Sequence, residues 1–143
     1  MMLTLSNATA ICDAALEKGN ALGLQPLCIV VLDAGAHVLA LKRDEHASIL
    51  RPEIATAKAA GCLGMGFGGR EIAKRAAAVP SFIAALNGIF PKGILPVPGG
   101  VLIRDADRRL IGAVGVSGDT SDNDELCAIA GITAASLIAD TGA

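Results

Sequence analysis

Two runs of strand-forming residues in this chain are each doubled back by a short acidic turn. Leu27 to Leu32 is an apolar, β-branched run that meets the turn Asp33-Ala34-Gly35 and returns through Ala36 to Lys42. Val101 to Arg104 meets Asp105-Ala106-Asp107 and returns from Leu110 to Val116. A turn that short joins antiparallel neighbours and leaves no room for the long crossover that parallel strands require. The intervening sequence is helical in pattern. Ser6 or Asn7 is expected to cap a first helix, in which Ala8, Ile11, Cys12, Ala15, Leu16, Gly19 and Leu22 recur at helical spacing, and Gly23 stops it. Arg51-Pro52-Glu53 opens a second helix, since proline at the first helical position loses no needed donor. A third runs from Arg70 to Ala78 and a short one from about Ser81 to Asn87. A closing helix starts near Thr120 and is expected to align Leu126, Ile129, Ala130, Thr133, Ala134, Leu137 and Ile138 on one face. Helix, hairpin, helices, hairpin, helix predicts an α+β fold, an antiparallel β-sheet flanked by helices, in a single domain over residues 1–143.

Composition narrows what such a domain does. Hydrophobic residues make up 52% and charged residues 18%, and the only aromatics are Phe67, Phe82 and Phe90. So few charges leave apolar surface uncovered, which predicts a homo-oligomer. A formal net charge of −2, with no basic stripe and no aromatics among the lysines and arginines, argues against a nucleic-acid partner. The N-terminal segment has no basic region of the signal-peptide kind, and the apolar run from Leu126 to Ala139 is short of a membrane span. The expectation is a cytoplasmic protein with no membrane association. Cys12, Cys28, Cys62 and Cys127 form no CxxC pair and lie in apolar segments, so they are read as buried structural thiols.

Three places can carry chemistry. In Leu95 to Ile103, a good strand is interrupted by Pro98, Gly99 and Gly100. Such a break marks either a bulge or a place where bare backbone N–H groups converge on an oxygen or anion. Lys58 is the only charged residue between Ile54 and Gly69. A lone ammonium there snorkels to water, pairs with a carboxylate or holds an anionic ligand. Glu53, five positions earlier, borders the same half of that helix. The third place is Gly115 to Glu125, where a strand end at Ser117-Gly118-Asp119 leads into an acid-rich helix start. Helix capping accounts for most of those acids. No lysine follows the glycines as a P-loop requires, and the EF-hand glycine and glutamate are missing. His37, just after a hairpin turn, reads as a surface strand residue. His46, in a polar loop, is a candidate ligand or haem-iron donor. The two histidines do not make a zinc site, and no metal centre is expected.

Taken in order, Val31-Leu32-Asp33-Ala34-Gly35-Ala36-His37, Glu53-Ile54-Ala55-Thr56-Ala57-Lys58-Ala59, Pro98-Gly99-Gly100-Val101, Gly112-Ala113-Val114-Gly115-Val116-Ser117-Gly118 and Asp124-Glu125 resemble the GlcG/HbpS family, which includes the C-terminal domain of PduO-type proteins. The resemblance implies a profilin-like sheet flanked by helices, assembled into dimers or larger oligomers. Some members bind haem, and others are encoded beside glycolate, diol or aromatic catabolism. The leading expectation is an oligomeric small-molecule-binding protein with no required cofactor, its ligand haem or an anionic, carboxylated catabolic intermediate. The pocket would lie between Pro98-Gly99-Gly100, the Glu53/Lys58 helix and Ser117-Gly118-Asp119, with His46 and Arg51 as further ligand-binding residues. Two rivals stand beside it. One is a cofactor-independent isomerase, hydratase or lyase using Glu53 and Lys58 as acid and base. The other is a purely structural oligomer in which the protein's own side chains fill the glycine turn.

Overall fold

The computed structural model describes residues 1–143. Its elements in chain order are α1 (Leu5–Ala21), β1 (Cys28–Asp33), β2 (Val38–Arg43), α2 (Arg51–Met65), α3 (Gly69–Ala78), α4 (Pro80–Leu86), β3 (Gly100–Arg104), β4 (Leu110–Ser117), α5 (Ser121–Ala134) and β5 (Ile138–Asp140). The strands form one antiparallel sheet in the order β2-β1-β4-β3-β5. Both hairpins form where the turns predict, and by the same device. Asp33 Oδ1 accepts the Gly35 and His37 N–H groups, and Asp105 Oδ1 accepts those of Asp107 and Arg109. An aspartate that folds back on its own backbone supplies the turn locally.

Helices cover both faces of the sheet. On one face α1 and α5 pack Ile11, Cys12, Ala15, Cys127, Ala128 and Ile132 against Ile29, Val31, Val101, Ile103, Val114 and Val116. On the other, α2, α3 and α4 bring Ala55, Ala59, Ala60, Cys62, Ile72 and Ile83 against Cys28, Val30, Leu32, Leu102 and Ala113. Burial on both sides is why β1 reads as an unbroken apolar run instead of alternating. The four cysteines are free and buried, and burial pushes their thiols up, that of Cys62 to about 12. They are packing residues, as expected. No helix is long and apolar enough to cross a membrane.

Three details differ from the sequence expectation. The N-cap of α1 is Thr4, not Ser6 or Asn7, and Asn7 completes a capping box with it. The buried face of α5 is Asp124, Glu125, Cys127, Ala128, Gly131 and Ile132, whereas Leu126 is 46% exposed. From Leu126 to Ala134 that helix is apolar almost all round, so periodicity alone does not choose a face. It also ends at Ala134. Ser136 takes a left-handed φ of 60°, and Ile138 begins a fifth strand on the free edge of β3. The three residues of β5 are too few to register as a strand pattern.

The glycines of the sheet decide how closely α2 approaches it. Gly100 and Gly115 are direct cross-strand partners on the α2 face. A Cβ on Gly115 would meet the Ala55 carbonyl oxygen, and one on Gly100 would meet the Lys58 carbonyl oxygen and, at 2.7 Å, the Cys62 sulfur. Two bare positions side by side form a floor on which the helix backbone rests directly.

Candidate functional site

Lys58 leaves that helix at the end of the sheet, and the local packing fixes where it goes. Its stem runs over Gly99, whose φ is +111° and whose missing side chain would come within 2.8 Å of Nζ. The ammonium is 4% exposed, donates to the Val116 carbonyl at 2.9 Å and pairs with Asp124 Oδ2 at 3.0 Å. Asp124, 1% exposed, belongs to the helix on the opposite face of the sheet. The ion pair therefore fastens α2 to α5 around the sheet's end. Asp124 Oδ1 accepts the Asp119 N–H at 3.0 Å, which draws the 117–120 loop onto the same point.

Asp119 continues the chain of contacts outward. Its carboxylate accepts from the Asn123 side chain and from the Gln25 and Thr120 N–H groups. Those donors, that of Asn123 foremost, hold it down from an ordinary 3.8 to about 2. Because the folded value lies below the unfolded one, this anchoring is complete above 3.8 and is lost as pH falls through about 2. Across that window the Gln25 and Thr120 amide resonances should shift and their hydrogen exchange should accelerate. Asp119→Asn should abolish that transition, and a transition unchanged in the variant would refute the assignment.

Beside this loop lies an open cleft of about 270 Å³, lined by Gln25, Pro26, His46, Ala47, Ser48, Arg51 and Gly118. Its outer wall, the 44–48 loop, is held by Arg43, which donates to the carbonyls of Asp44, Glu45 and Ala47. Arg51, at the first position of α2, donates from Nε to Ser48 Oγ at 3.2 Å and from Nη1 to the fully buried Ser117 Oγ at 3.1 Å. Two hydroxyls orient the guanidinium, and no carboxylate of the protein pairs with it, unlike Arg70, Arg75 and Arg104. A positioned arginine with its charge uncompensated is suited to an anion, best to a planar carboxylate. The His46 imidazole is 76% exposed, with Nδ1 3.3 Å from Asp44 and 3.7 Å from Glu45. Ligand atoms of these three consecutive residues lie within 4.8 Å of one another, the one grouping able to reach a common cation.

The residues singled out from the sequence therefore divide into two places and an outlier. Gly99, Gly100, Lys58 and Asp119 do converge, but Lys58 and Asp124 fill the space between them, and none of the surface cavities is lined by Lys58, Gly99 or Gly100. Pro98 packs at the start of α3, against Gly69. His46, Arg51 and Gly118 line the Arg51 cleft, and the buried Ser117 reaches it only through its hydrogen bond from Arg51. Glu53 is exposed in a separate cleft with Lys92, so the structure does not bring it together with Lys58. Sequence reading missed Asp124 as the partner of Lys58, and Gln25 and Pro26 as cleft wall. The ion pair spans 66 positions, and no spacing rule connects its ends.

Comparison with known proteins supplies the remaining observation. The model of a family described as haem degrading protein HbpS-like matches residues 3–133. The crystal structure of HbpS is 30% identical, with a TM-score of 0.80 over 93% of this chain and 89% of its own. Klebsiella pneumoniae protein ORFY is 27% identical, with a TM-score of 0.82 over 93% of this chain and 90% of its own. PduOC in complex with haem has the same fold, with a TM-score of 0.84 over 100% of both chains at 22% identity. No curated protein matches the sequence significantly.

Proposed function

The chain belongs to the HbpS-like family, and from that premise we propose that it is a small-molecule-binding protein whose ligand presents a carboxylate to Arg51. The observation that carries this reading is the Arg51 guanidinium, oriented by Ser48 and Ser117, without an acidic partner, at the wall of a cleft. His46 and Gly118 border the same cleft and complete the polar lining around a bound anion. The support from relatives is the family's haem-degrading description and the haem complex of PduOC.

Haem and a small carboxylic acid share this chemistry, since haem carries two propionates. The cleft suits the carboxylate end of either ligand. It does not suit a porphyrin ring: about 270 Å³ is at the small end for ligand sites, no phenylalanine lines it, and Ala47 and Pro26 are its only apolar walls. The geometry of one chain therefore favours a small carboxylated metabolite over an enclosed haem. A homo-oligomer completes the reading, because Ile49 is 93% exposed and Ile89 78%, an uneconomical display of large side chains for a lone domain. Gel filtration should give a mass above that of the 14.3 kDa monomer.

Titration with glycolate, benzoate and hemin tests the site. Arg51→Met should weaken binding of whichever probe the wild type takes by about 10- to 100-fold, the usual worth of a charge-assisted hydrogen bond. Arg51→Lys should restore part of it. A shifted Soret band retained through gel filtration would identify haem, and binding of the acids alone would identify a metabolite. Affinities that Arg51→Met leaves unchanged, or a wild type that takes none of the three probes, would overturn the proposal.

A further inference from the structure

A second cleft, of about 340 Å³, opens beside Pro52 and is not lined by Arg51. It lies between the first turn of α2 and the turn at Phe90 to Gly93, and Pro52, Glu53, Thr56, Pro91 and Lys92 line it. Both walls are stiff. Two prolines limit the backbone on either side. The Lys92 turn is closed by a reciprocal pair of hydrogen bonds, Ile94 N–H to Asn87 Oδ1 at 2.7 Å and Asn87 Nδ2 to the Ile94 carbonyl at 3.1 Å. Gly93, at a φ of +87°, makes the turn tight enough to close.

The charges in this cleft are uncommitted. Glu53 and Lys92 line one concavity with opposite sign, form no ion pair with each other, and make no hydrogen bond or ion pair elsewhere in the chain. The helix N-terminus favours a carboxylate at Glu53. That long-range attraction leaves its oxygens without donors. The Thr56 hydroxyl donates to the Pro52 carbonyl at 2.7 Å and so offers the cleft only an acceptor.

We propose that this cleft is a binding site for a small zwitterion of the amino-acid type, its ammonium on Glu53 and its carboxylate on Lys92. Beyond the rings of Pro52 and Pro91 no aliphatic or aromatic side chain lines the cleft, so the charged pair sets the choice of ligand. A simple anion gains Lys92 but meets Glu53, and a simple cation gains Glu53 but meets Lys92. Only a molecule carrying both charges satisfies both walls, so the opposed signs select by repulsion as well as by attraction. The site is distinct from the Arg51 cleft and does not rest on the function proposed there.

The test is a chemical-shift titration of isotope-labelled protein with β-alanine, with propionate and propylamine as single-charge controls. β-Alanine should give saturable shifts confined to the amides of Glu53 to Ala57 and Phe90 to Gly93. The controls should give shifts that stay linear over the same range. Glu53→Gln and Lys92→Met, both surface changes whose spectra report directly that the fold persists, should each weaken β-alanine binding about fivefold. Saturation by propionate or propylamine equal to that by β-alanine, no saturation at tens of millimolar, or full affinity in both variants would each overturn the proposal.

Discussion

Lys58→Met should lower the stability of the fold by about 3–5 kcal/mol, measured as a fall in the urea midpoint at unchanged slope. The loss comes mainly from what is left behind. Asp124 is 1% exposed, and without the ammonium 3.0 Å away it becomes a buried charge with only the Asp119 N–H to solvate it. The Val116 carbonyl also loses its donor. The cause can be separated from lost packing, because methionine keeps most of the lysine stem. Adding Asp124→Asn removes the stranded charge while retaining an oxygen for the Asp119 N–H. Lys58→Met/Asp124→Asn should therefore recover most of the loss, to within about 1–2 kcal/mol of wild type, as expected when a buried ion pair is replaced as a unit. A double variant no more stable than the single one would show that lysine packing, not charge, carries the effect. A Lys58→Met protein as stable as wild type would remove the ion pair from any structural account of this chain.

Gly115→Ala should be the most disruptive single methyl group in the molecule. A Cβ there meets the Ala55 carbonyl oxygen and crowds the Ala59 backbone nitrogen at 3.1 Å, both part of α2's own backbone. No side chain can rotate away, so the helix must lift from the sheet. Overpacking usually costs about 1–3 kcal/mol, and a contact with backbone on both sides belongs at or above the top of that range. Lifting α2 would also draw Lys58 off Asp124, so the two defects should compound, and the variant should populate a loosened or insoluble state. Gly88→Ala is the matched control. It sits after α4, its nearest neighbour is the Ala85 carbonyl oxygen at 3.3 Å, and it should cost less than about 1 kcal/mol. Equal thermal midpoints for the two variants would contradict the close-approach account.

Local features were legible in the sequence to the degree that their causes are local. Both hairpins follow from an aspartate that folds back on its own turn, and α2 begins at Arg51-Pro52 because a proline there needs no donor. The break at Pro98-Gly99-Gly100 was readable as a demand for bare backbone, and the alternatives were a bulge, a ligand or the protein's own side chains. What lies over Gly99 in the structure is the chain's own Lys58, from helix α2. Nothing in a strand's own sequence says which element will lie on it. The same limit applies to α5, where apolar residues on every side from Leu126 onward left the buried face undetermined until α1 and the sheet were in place.

The candidate site follows the same division. His46, Arg51, Ser117 and Gly118 were each conspicuous by residue type, but the Arg51 cleft exists only because the antiparallel sheet sets the end of β4 beside the start of α2. The sequence by itself determined the element types, the antiparallel pairing and the identity of the residues with unspent chemistry, because turns, caps and hydrophobic period act over a few residues. Only the tertiary structure decided which charge meets which. It gave Lys58 to Asp124, left Arg51 and Glu53 without ionic partners and turned those two to different clefts. Burial and pairing depend on distance in space, and in this chain the decisive pair closes across 66 positions and around the end of the sheet.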